Sequence, residues 1–182
     1  MRHKTRIPKL LAWPPLLWLF SCAPPTSDWA ETKELVRNRF PEVRQISVDE
    51  LAQRLAATDT APPLLVDVRE REEYEVSHLP DAVWASNDDL ERLVRDAGPD
   101  REIVLYCSVG YRSSSAAKEL EESGFDNVAN LEGSIFEWAN AGHPVERGGQ
   151  SVREVHPYDE EWGRLLKEDL RAYAPGERSS SR

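Results

Sequence analysis

Ile103-Val104-Leu105-Tyr106-Cys107-Ser108-Val109-Gly110-Tyr111-Arg112-Ser113 is the stretch that decides the fold of this chain of 182 residues. Four apolar residues come before Cys107, and a polar, helix-forming run over residues 113–120 follows Arg112. This order predicts a buried strand, a short loop and a helix. Because parallel sheets covered by helices are built from repeats of this unit, the stretch indicates an α/β domain.

The rest of the chain repeats the pattern. Strands are predicted at residues 45–47, 64–68, 82–84 and 127–130, and helices at 28–39, 47–56, 70–76, 86–95, 113–123 and 134–141. Strands and helices therefore alternate five times over roughly 100 residues, which is typical of a parallel α/β sheet. We predict a five-stranded, mostly parallel sheet with helices on both faces.

The loop after Cys107 has the features of an anion-binding loop. Its backbone N–H groups can point inward, and the helix N-terminus adds partial positive charge. A cysteine in this position is more acidic than a free thiol, and Arg112 adds a permanent cation with a planar set of donors. We interpret Cys107 as the catalytic nucleophile, although a cysteine that ends a strand can also be a small buried hydrophobe. The candidate substrate-binding residues are Arg112, Ser108, Val109, Gly110 and Tyr111.

Asp67 ends another apolar run, so it lies at the same edge of the predicted sheet as Cys107. Active sites of such sheets lie outside the carboxyl ends of the strands. Turn chemistry alone would also place an aspartate there. We favour the structural role, in which Asp67 forms a turn and caps the helix at 70–76. Asp67 and Arg69 are thus expected to support the site.

The first 22 residues differ from the rest in composition. Basic residues precede the apolar segment 10–20, which is too short to span a bilayer comfortably. The segment ends in Leu19-Phe20-Ser21-Cys22, which resembles the lipobox of bacterial lipoproteins. The resemblance implies cleavage before Cys22, lipidation of its sulfur and, with Ala23 next, the periplasmic face of the outer membrane. An uncleaved N-terminal anchor is the alternative.

Charge and cysteine count limit the partners. Loss of residues 1–21 removes four positive charges and no acids, so the net charge falls from −10 to −14. Such an acidic chain is a poor candidate for binding nucleic acid. If Cys22 is lipidated, Cys107 is the only free thiol, and its retention in an exported chain suggests a chemical role. No metal is expected, because His78, His143 and His156 show no ligand spacing.

The C-terminal residues 149–182 are predicted to form a helical extension. A helix over residues 158–173 places four apolar side chains on one stripe, which indicates packing on the domain; a partner-binding helix is the alternative. The stripe consists of Trp162, Leu165, Leu166 and Leu170. Residues 175–182 are expected to be disordered.

Three blocks of residues, over about 46–145, resemble the single-domain rhodanese family in the order that the family has. They are Leu65-Val66-Asp67-Val68-Arg69 with Glu73-Tyr74 and residues 77–82; residues 104–113; and Gly124-Phe125, Leu131-Glu132-Gly133-Ser134, Trp138 and residues 142–145. The resulting organisation is a signal peptide at 1–21, a tether and helix at 22–44, a rhodanese-like domain at 45–148 and the extension at 149–182.

The resemblance implies a sulfurtransferase that needs no cofactor. The Cys107 thiolate would take a sulfane sulfur from a small anionic donor such as thiosulfate, oriented by Arg112. The resulting persulfide would pass the sulfur to a thiol or to cyanide, with ping-pong kinetics. We expect a monomer, bound to the membrane only through its N-terminal lipid.

Three alternatives stay open. The domain can be a non-catalytic binding or sulfur-carrier module. A phosphatase or arsenate reductase is disfavoured, because four residues separate Cys107 from Arg112, whereas related phosphatases have five. A thiol that senses oxidants would need an external thiol to resolve its sulfenate.

Overall fold

The structure, a computed structural model, describes residues 29–177. Six helices and a five-stranded sheet form the domain, followed by a hairpin and two short 3-10 helices. The bounds are α1 Trp29–Arg39, β1 Gln45–Ile46, α2 Val48–Ala56, β2 Leu64–Asp67, α3 Arg71–Val76, β3 Val83–Trp84, α4 Asn87–Ala97, β4 Ile103–Tyr106, α5 Tyr111–Glu122, β5 Val128–Leu131, α6 Ser134–Asn140, β6 Val145–Arg147 and β7 Gln150–Val152.

The sheet is parallel throughout, with strand order β1-β5-β4-β2-β3. The central strand, β4, pairs Val104 with Leu65 of β2 on one side and with Ala129 of β5 on the other. The α/β fold and the five-stranded sheet predicted from the sequence are therefore confirmed. The strand before Cys107 is central because its four residues are all apolar or aromatic and all buried.

Side chains of β4 alternate between two apolar cores. Val104 and Tyr106 pack with residues of α2, α6 and the C-terminal segment. Leu105 and Cys107 pack on the other face with residues of α1, α4 and α5. Because successive side chains of a strand point to opposite faces, both faces of the sheet are covered by helices. The loops that follow β2, β4 and β5 lie at the carboxyl edge of the sheet.

The C-terminal segment packs on the domain, as expected, but not as one helix. Leu165, Leu166 and Leu170 are buried in the same core as α6, yet the helices here are only Trp162–Leu165 and Glu168–Leu170, both 3-10. The predicted continuous helix over 158–173 is therefore wrong. The sequence reading also missed the hairpin of β6 and β7, which pair in antiparallel register.

Asn140 explains the interruption of the C-terminal helix. Its side chain donates to the Leu165 carbonyl at 2.7 Å and accepts from the Lys167 amide at 2.9 Å. These backbone groups therefore have partners on α6 and need none within a longer helix. The backbone between them is extended at Leu166.

The predicted signal peptide, Cys22, the tether and residues 178–182 lie outside the described residues. Between residues 29 and 177, no helix is long and apolar enough to cross a membrane.

Candidate active site

Cys107 lies where β4 ends, on a loop that turns directly into α5. The residue is 1% exposed and belongs to the core beneath α5. Gly110 closes the loop in the left-handed region, with a φ of 107°, and its amide donates to Cys107 Sγ at 3.2 Å. A side chain at Gly110 would also come within 3.2 Å of Asn130 Nδ2. The glycine is therefore required both for the turn and for the close approach of β5.

Residues at the N-terminal end of α6 hold the loop in position through hydrogen bonds. Ser134 Oγ accepts from the Cys107 amide at 3.1 Å and donates to the Leu131 carbonyl at 3.0 Å. The carbonyls of Cys107 and Ser108 accept from the amides of Ile135 and Phe136, each at 3.2 Å. These bonds satisfy the polar groups of a buried loop and position the sulfur against the backbone. Sequence reasoning placed Ser134 in a family block but gave it no role at the site.

Arg112 is paired with a carboxylate that sequence reasoning also missed. Its Nη1 and Nη2 atoms donate to the two oxygens of Glu73 at 2.7 and 3.0 Å, and Nη2 also donates to Ser108 Oγ at 3.0 Å. Ser108 Oγ in turn donates to Glu73 at 2.9 Å. Only 3% of the Glu73 side chain is exposed, against 30% for Arg112. Burial raises the pKa of Glu73, but the Arg112 charge and hydrogen bonds outweigh it, and the pKa is lowered.

Asp67 and Arg69 form a second, fully buried ion pair beside the first. Arg69 Nη2 donates to Asp67 at 2.7 Å and to the Ser77 carbonyl at 2.6 Å. Asp67 Oδ1 also accepts from the Arg69 amide at 3.1 Å, so it forms a turn as predicted. It does not cap α3, because Glu70 is the N-cap and completes a capping box with Glu73. The pair ties the β2–α3 loop to Ser77, the residue directly after α3.

The surroundings of Cys107 favour its thiolate. Burial raises the pKa of the thiol, but the Arg112 charge and hydrogen bonds from Ser113 and Gly110 outweigh it, so the pKa is lowered from the ordinary value. The Ser113 hydroxyl is buried and has no hydrogen-bond partner of ordinary geometry within residues 29–177. Its proton is therefore free to turn toward the sulfur.

Two cavities meet at the start of α5. A small one of about 140 Å³ has Cys107, Ser108, Val109, Tyr111 and Arg112 on one side, and Tyr158 and Trp162 on the other. A larger groove of about 530 Å³ runs along β3, α4 and α5, shares Tyr111 and Arg112 with the first, and does not include Cys107. The smaller cavity is the one that reaches the sulfur. Of the six predicted loop residues, all except Gly110 line it.

The family model described as Rhodanese-like domain matches residues 47–141. The chain belongs to the rhodanese-like domain family. A sulfurtransferase of Allochromatium vinosum is 37% identical over 103 residues, which cover 57% of this chain and 94% of that protein. The rhodanese-like domain of a protein from Anabaena sp., solved by NMR, has a TM-score of 0.52 at 27% identity and covers 58% of this chain and 80% of that one.

Other relatives are longer proteins. A tRNA uridine(34) hydroxylase of Escherichia fergusonii is 29% identical over 128 residues, which cover 67% of this chain but only 37% of the hydroxylase. This rhodanese-like chain thus spans little more than a third of the length of that relative.

Tyr158 and Trp162 are the site residues that lie outside the residues matched to the rhodanese-like family. They lie in the C-terminal segment, and the sequence offered only an apolar stripe that predicts packing, with no signal that the stripe would reach Cys107. Cys22 lies outside the described residues. Across residues 29–177, no cluster of three histidine, cysteine or acidic side chains could hold a metal ion.

Proposed function

We propose that this protein is a sulfurtransferase that carries a sulfane sulfur as a persulfide on Cys107. The Cys107 thiolate attacks the outer sulfur of a donor such as thiosulfate, and the donor S–S bond breaks with its electron pair leaving on sulfite. A nucleophilic acceptor, a thiol or cyanide, then attacks the terminal sulfur of the persulfide. The bond to Cys107 breaks, and the thiolate is restored.

The observation that supports this proposal most is the Gly110 amide on Cys107 Sγ at 3.2 Å. The same donor and the charge of Arg112 can stabilise first the thiolate and then the persulfide anion, since both place negative charge at the loop. A thiolate needs no general base, which fits a site where the carboxylate of Glu73 is already bound to Arg112 and Ser108.

Arg112 has two tasks in this proposal. Its charge lowers the pKa of Cys107, while two of its nitrogens donate to Glu73. We infer that the main task of Arg112 is to stabilise the Cys107 thiolate. Its second task is to orient an anionic donor. Arg112→Ala should therefore weaken transfer from thiosulfate more than transfer from a neutral persulfide, and equal losses would mean that Arg112 only shapes the loop.

The test is the intact mass of the protein after thiosulfate and then after cyanide. Persulfidation adds one sulfur, about 32 Da, at Cys107, and cyanide removes it. Cys107→Ser should show no adduct and no turnover with the fold retained. Turnover retained in Cys107→Ser, or no adduct from thiosulfate or polysulfide in a folded and reduced sample, would contradict the mechanism and favour a binding module.

A sulfur-carrier module is the second candidate, because the same persulfide would form without rapid turnover. Steady-state assays distinguish it: a carrier shows the mass adduct but turns over slowly with every small acceptor. Action on RNA, as the name of the hydroxylase relative indicates for that protein, is disfavoured by the net charge of −10.

We further propose that the protein is lipid-anchored at the periplasmic face of the bacterial outer membrane through Cys22. The proposal rests on the motif Leu19-Phe20-Ser21-Cys22 after a basic and then apolar segment. Expression with labelled palmitate should label the protein, and Cys22→Ser should abolish the label. A chain that keeps residues 1–21 and takes no label would contradict the anchor.

A further inference from the structure

Two aromatic side chains of the C-terminal segment close one side of the Cys107 cavity. The Tyr158 ring centroid lies 4.6 Å from the guanidinium carbon of Arg112, and Tyr158 and Trp162 line the cavity opposite the catalytic loop. The cavity measures about 140 Å³, whereas pockets for drug-sized ligands measure roughly 300–1,000 Å³. Because Cys107 is 1% exposed, the outer sulfur of a donor has to enter this small space beside the two rings to reach it.

The segment that bears these rings is fixed on both sides of the loop 156–161. Before the loop, Val155 is fully buried, and its amide donates to the Leu170 carbonyl at 2.7 Å. After the loop, Leu166 is 1% exposed in the main core, and the Ala172 amide donates back to Val155 at 3.1 Å. Moving the rings away from Cys107 therefore requires breaking these contacts or opening the loop locally.

Tyr158 adopts a backbone conformation that an aromatic residue rarely takes. Its φ is 66°, in the left-handed region, and its amide donates to His156 Nδ1 at 3.0 Å. Gly163 packs against Pro157 so closely that a Cβ there would lie 2.9 Å from Pro157 Cβ. A left-handed backbone at a residue other than glycine is strained and persists where the surroundings enforce it. Here it accompanies the placement of the Tyr158 ring over Arg112.

We propose that Tyr158 and Trp162 are specificity-determining residues that restrict Cys107 to compact, low-molecular-weight sulfur carriers and exclude persulfides carried by proteins. The inference rests on the proposed sulfur transfer. In every case Cys107 attacks the outer sulfur, and the carrier leaves as its thiolate or as sulfite. A protein persulfide brings its own backbone and neighbouring side chains to the opening, and these collide with the two rings. The charge of the Arg112–Glu73 pair is unaffected, so the selection is by size.

The first experiment measures access to Cys107 without any sulfur chemistry. The full chain with Cys22→Ser has Cys107 as its one thiol, and its alkylation by iodoacetamide is compared with that by fluorescein maleimide. Tyr158→Gly removes the ring and suits the positive φ, and it is combined with Trp162→Ala. We expect the rate ratio of bulky to small reagent to rise at least about tenfold, or about 1.4 kcal/mol in activation free energy.

Two controls isolate the rings. Tyr158→Phe keeps an aromatic ring at this position, so its ratio of bulky to small reagent should equal that of the parent. Tyr173→Ala truncates another aromatic residue of the same segment, which is 54% exposed and does not line the cavity, so it should also leave the ratio unchanged. If the double variant unfolds, the parent ratio is compared with that of the urea-unfolded chain. A native parent whose ratio equals that of the unfolded chain, or of a folded double variant, would overturn the proposal.

The second experiment uses sulfur donors of different size. The parent should be persulfidated by thiosulfate but not by a cysteine desulfurase loaded with cysteine, and the double variant should accept sulfur from both. Equal rates from both donors in the parent would overturn the size selection while leaving sulfur transfer intact. If neither donor gives a persulfide but alkylation is still size-selective, the proposed sulfur transfer is contradicted. The conclusion that Tyr158 and Trp162 restrict access to Cys107 then still holds.

Discussion

Glu73→Gln tests whether the buried partner of Arg112 stabilises the loop that follows Cys107. The glutamine keeps the shape of the side chain but removes the charge that accepts from Arg112 at 2.7 and 3.0 Å. Removing one partner of a buried ion pair costs about 3–5 kcal/mol. Because 30% of the Arg112 side chain is exposed, water compensates part of the loss, and we expect about 2–3 kcal/mol. For a chain of this length that lowers the Tm by roughly 4–12 °C.

Thermal unfolding of the full chain at neutral pH, followed by circular dichroism, measures the loss. Glu75→Gln is the matched control, because Glu75 lies on the same helix and pairs with Arg71 at 3.0 Å, with both side chains 54% exposed. An exposed pair of this spacing contributes only about 0.3–0.5 kcal/mol. A Glu73→Gln variant that loses no more stability than Glu75→Gln would refute the view that the pair with Arg112 fixes the loop.

The pH dependence of the Tm provides a second test of the same prediction. Burial raises the pKa of Glu73, but Arg112 outweighs it and the folded pKa lies below the ordinary value. The stability that Glu73 contributes is therefore fully present above the unfolded pKa of about 4.3 and is lost as the pH falls through the folded pKa. The Tm difference between parent and Glu73→Gln should be largest near neutral pH and shrink below about pH 4. A difference that grows on acidification would contradict this sign.

Three further substitutions test the loop that follows Cys107 and the C-terminal segment. Gly110→Ala should lower stability by about 1–3 kcal/mol and more than Gly124→Ala, because only the first meets neighbouring atoms as well as a positive φ; equal Tm losses would contradict the close approach. Ser113→Ala should raise the pKa of Cys107, since its hydroxyl lowers it, and the pH profile of iodoacetamide alkylation should move to higher pH; an unmoved profile would remove Ser113 from the thiolate. Leu166→Ala, at a position 1% exposed, should cost about 2–5 kcal/mol by denaturant unfolding, and a loss below 1 kcal/mol would mean that the C-terminal segment is not part of the cooperative fold.

The sheet and the position of Cys107 at its edge could be predicted from sequence because both depend on local patterns. Runs of three and four apolar or aromatic residues lead into Asp67 and Cys107, and they place both residues at one edge of a parallel sheet. The helix after Cys107 begins two residues earlier than predicted, at Tyr111. Arg112 therefore lies in the first turn of α5, where its backbone position is fixed by the helix.

The partners of the site could not be predicted, because they are set by tertiary contacts. Glu73 lies among other acidic residues on a short helix, where a solvent-exposed position is the ordinary expectation, and it meets Arg112 from 39 residues away. The apolar stripe of the C-terminal segment gave the right packing but the wrong helix. Asn140 donates to the Leu165 carbonyl and accepts from the Lys167 amide, and these two bonds replace bonds that a continuous helix would have made.

The proposed catalysis and the proposed selection fall on separate parts of the chain. Cys107, its backbone donor Gly110 and the Arg112–Glu73 pair all lie within the residues that match the rhodanese-like family, whereas Tyr158 and Trp162 lie beyond them. Neither ring has a charge, so replacing them should change what reaches Cys107 without changing the electrostatics that make its thiolate reactive. If access and the pKa of Cys107 instead change together in the Tyr158→Gly variant, the ring acts through Arg112, which it contacts at 4.6 Å. Measuring the pH profile of alkylation alongside its size dependence therefore separates the two roles in one set of samples.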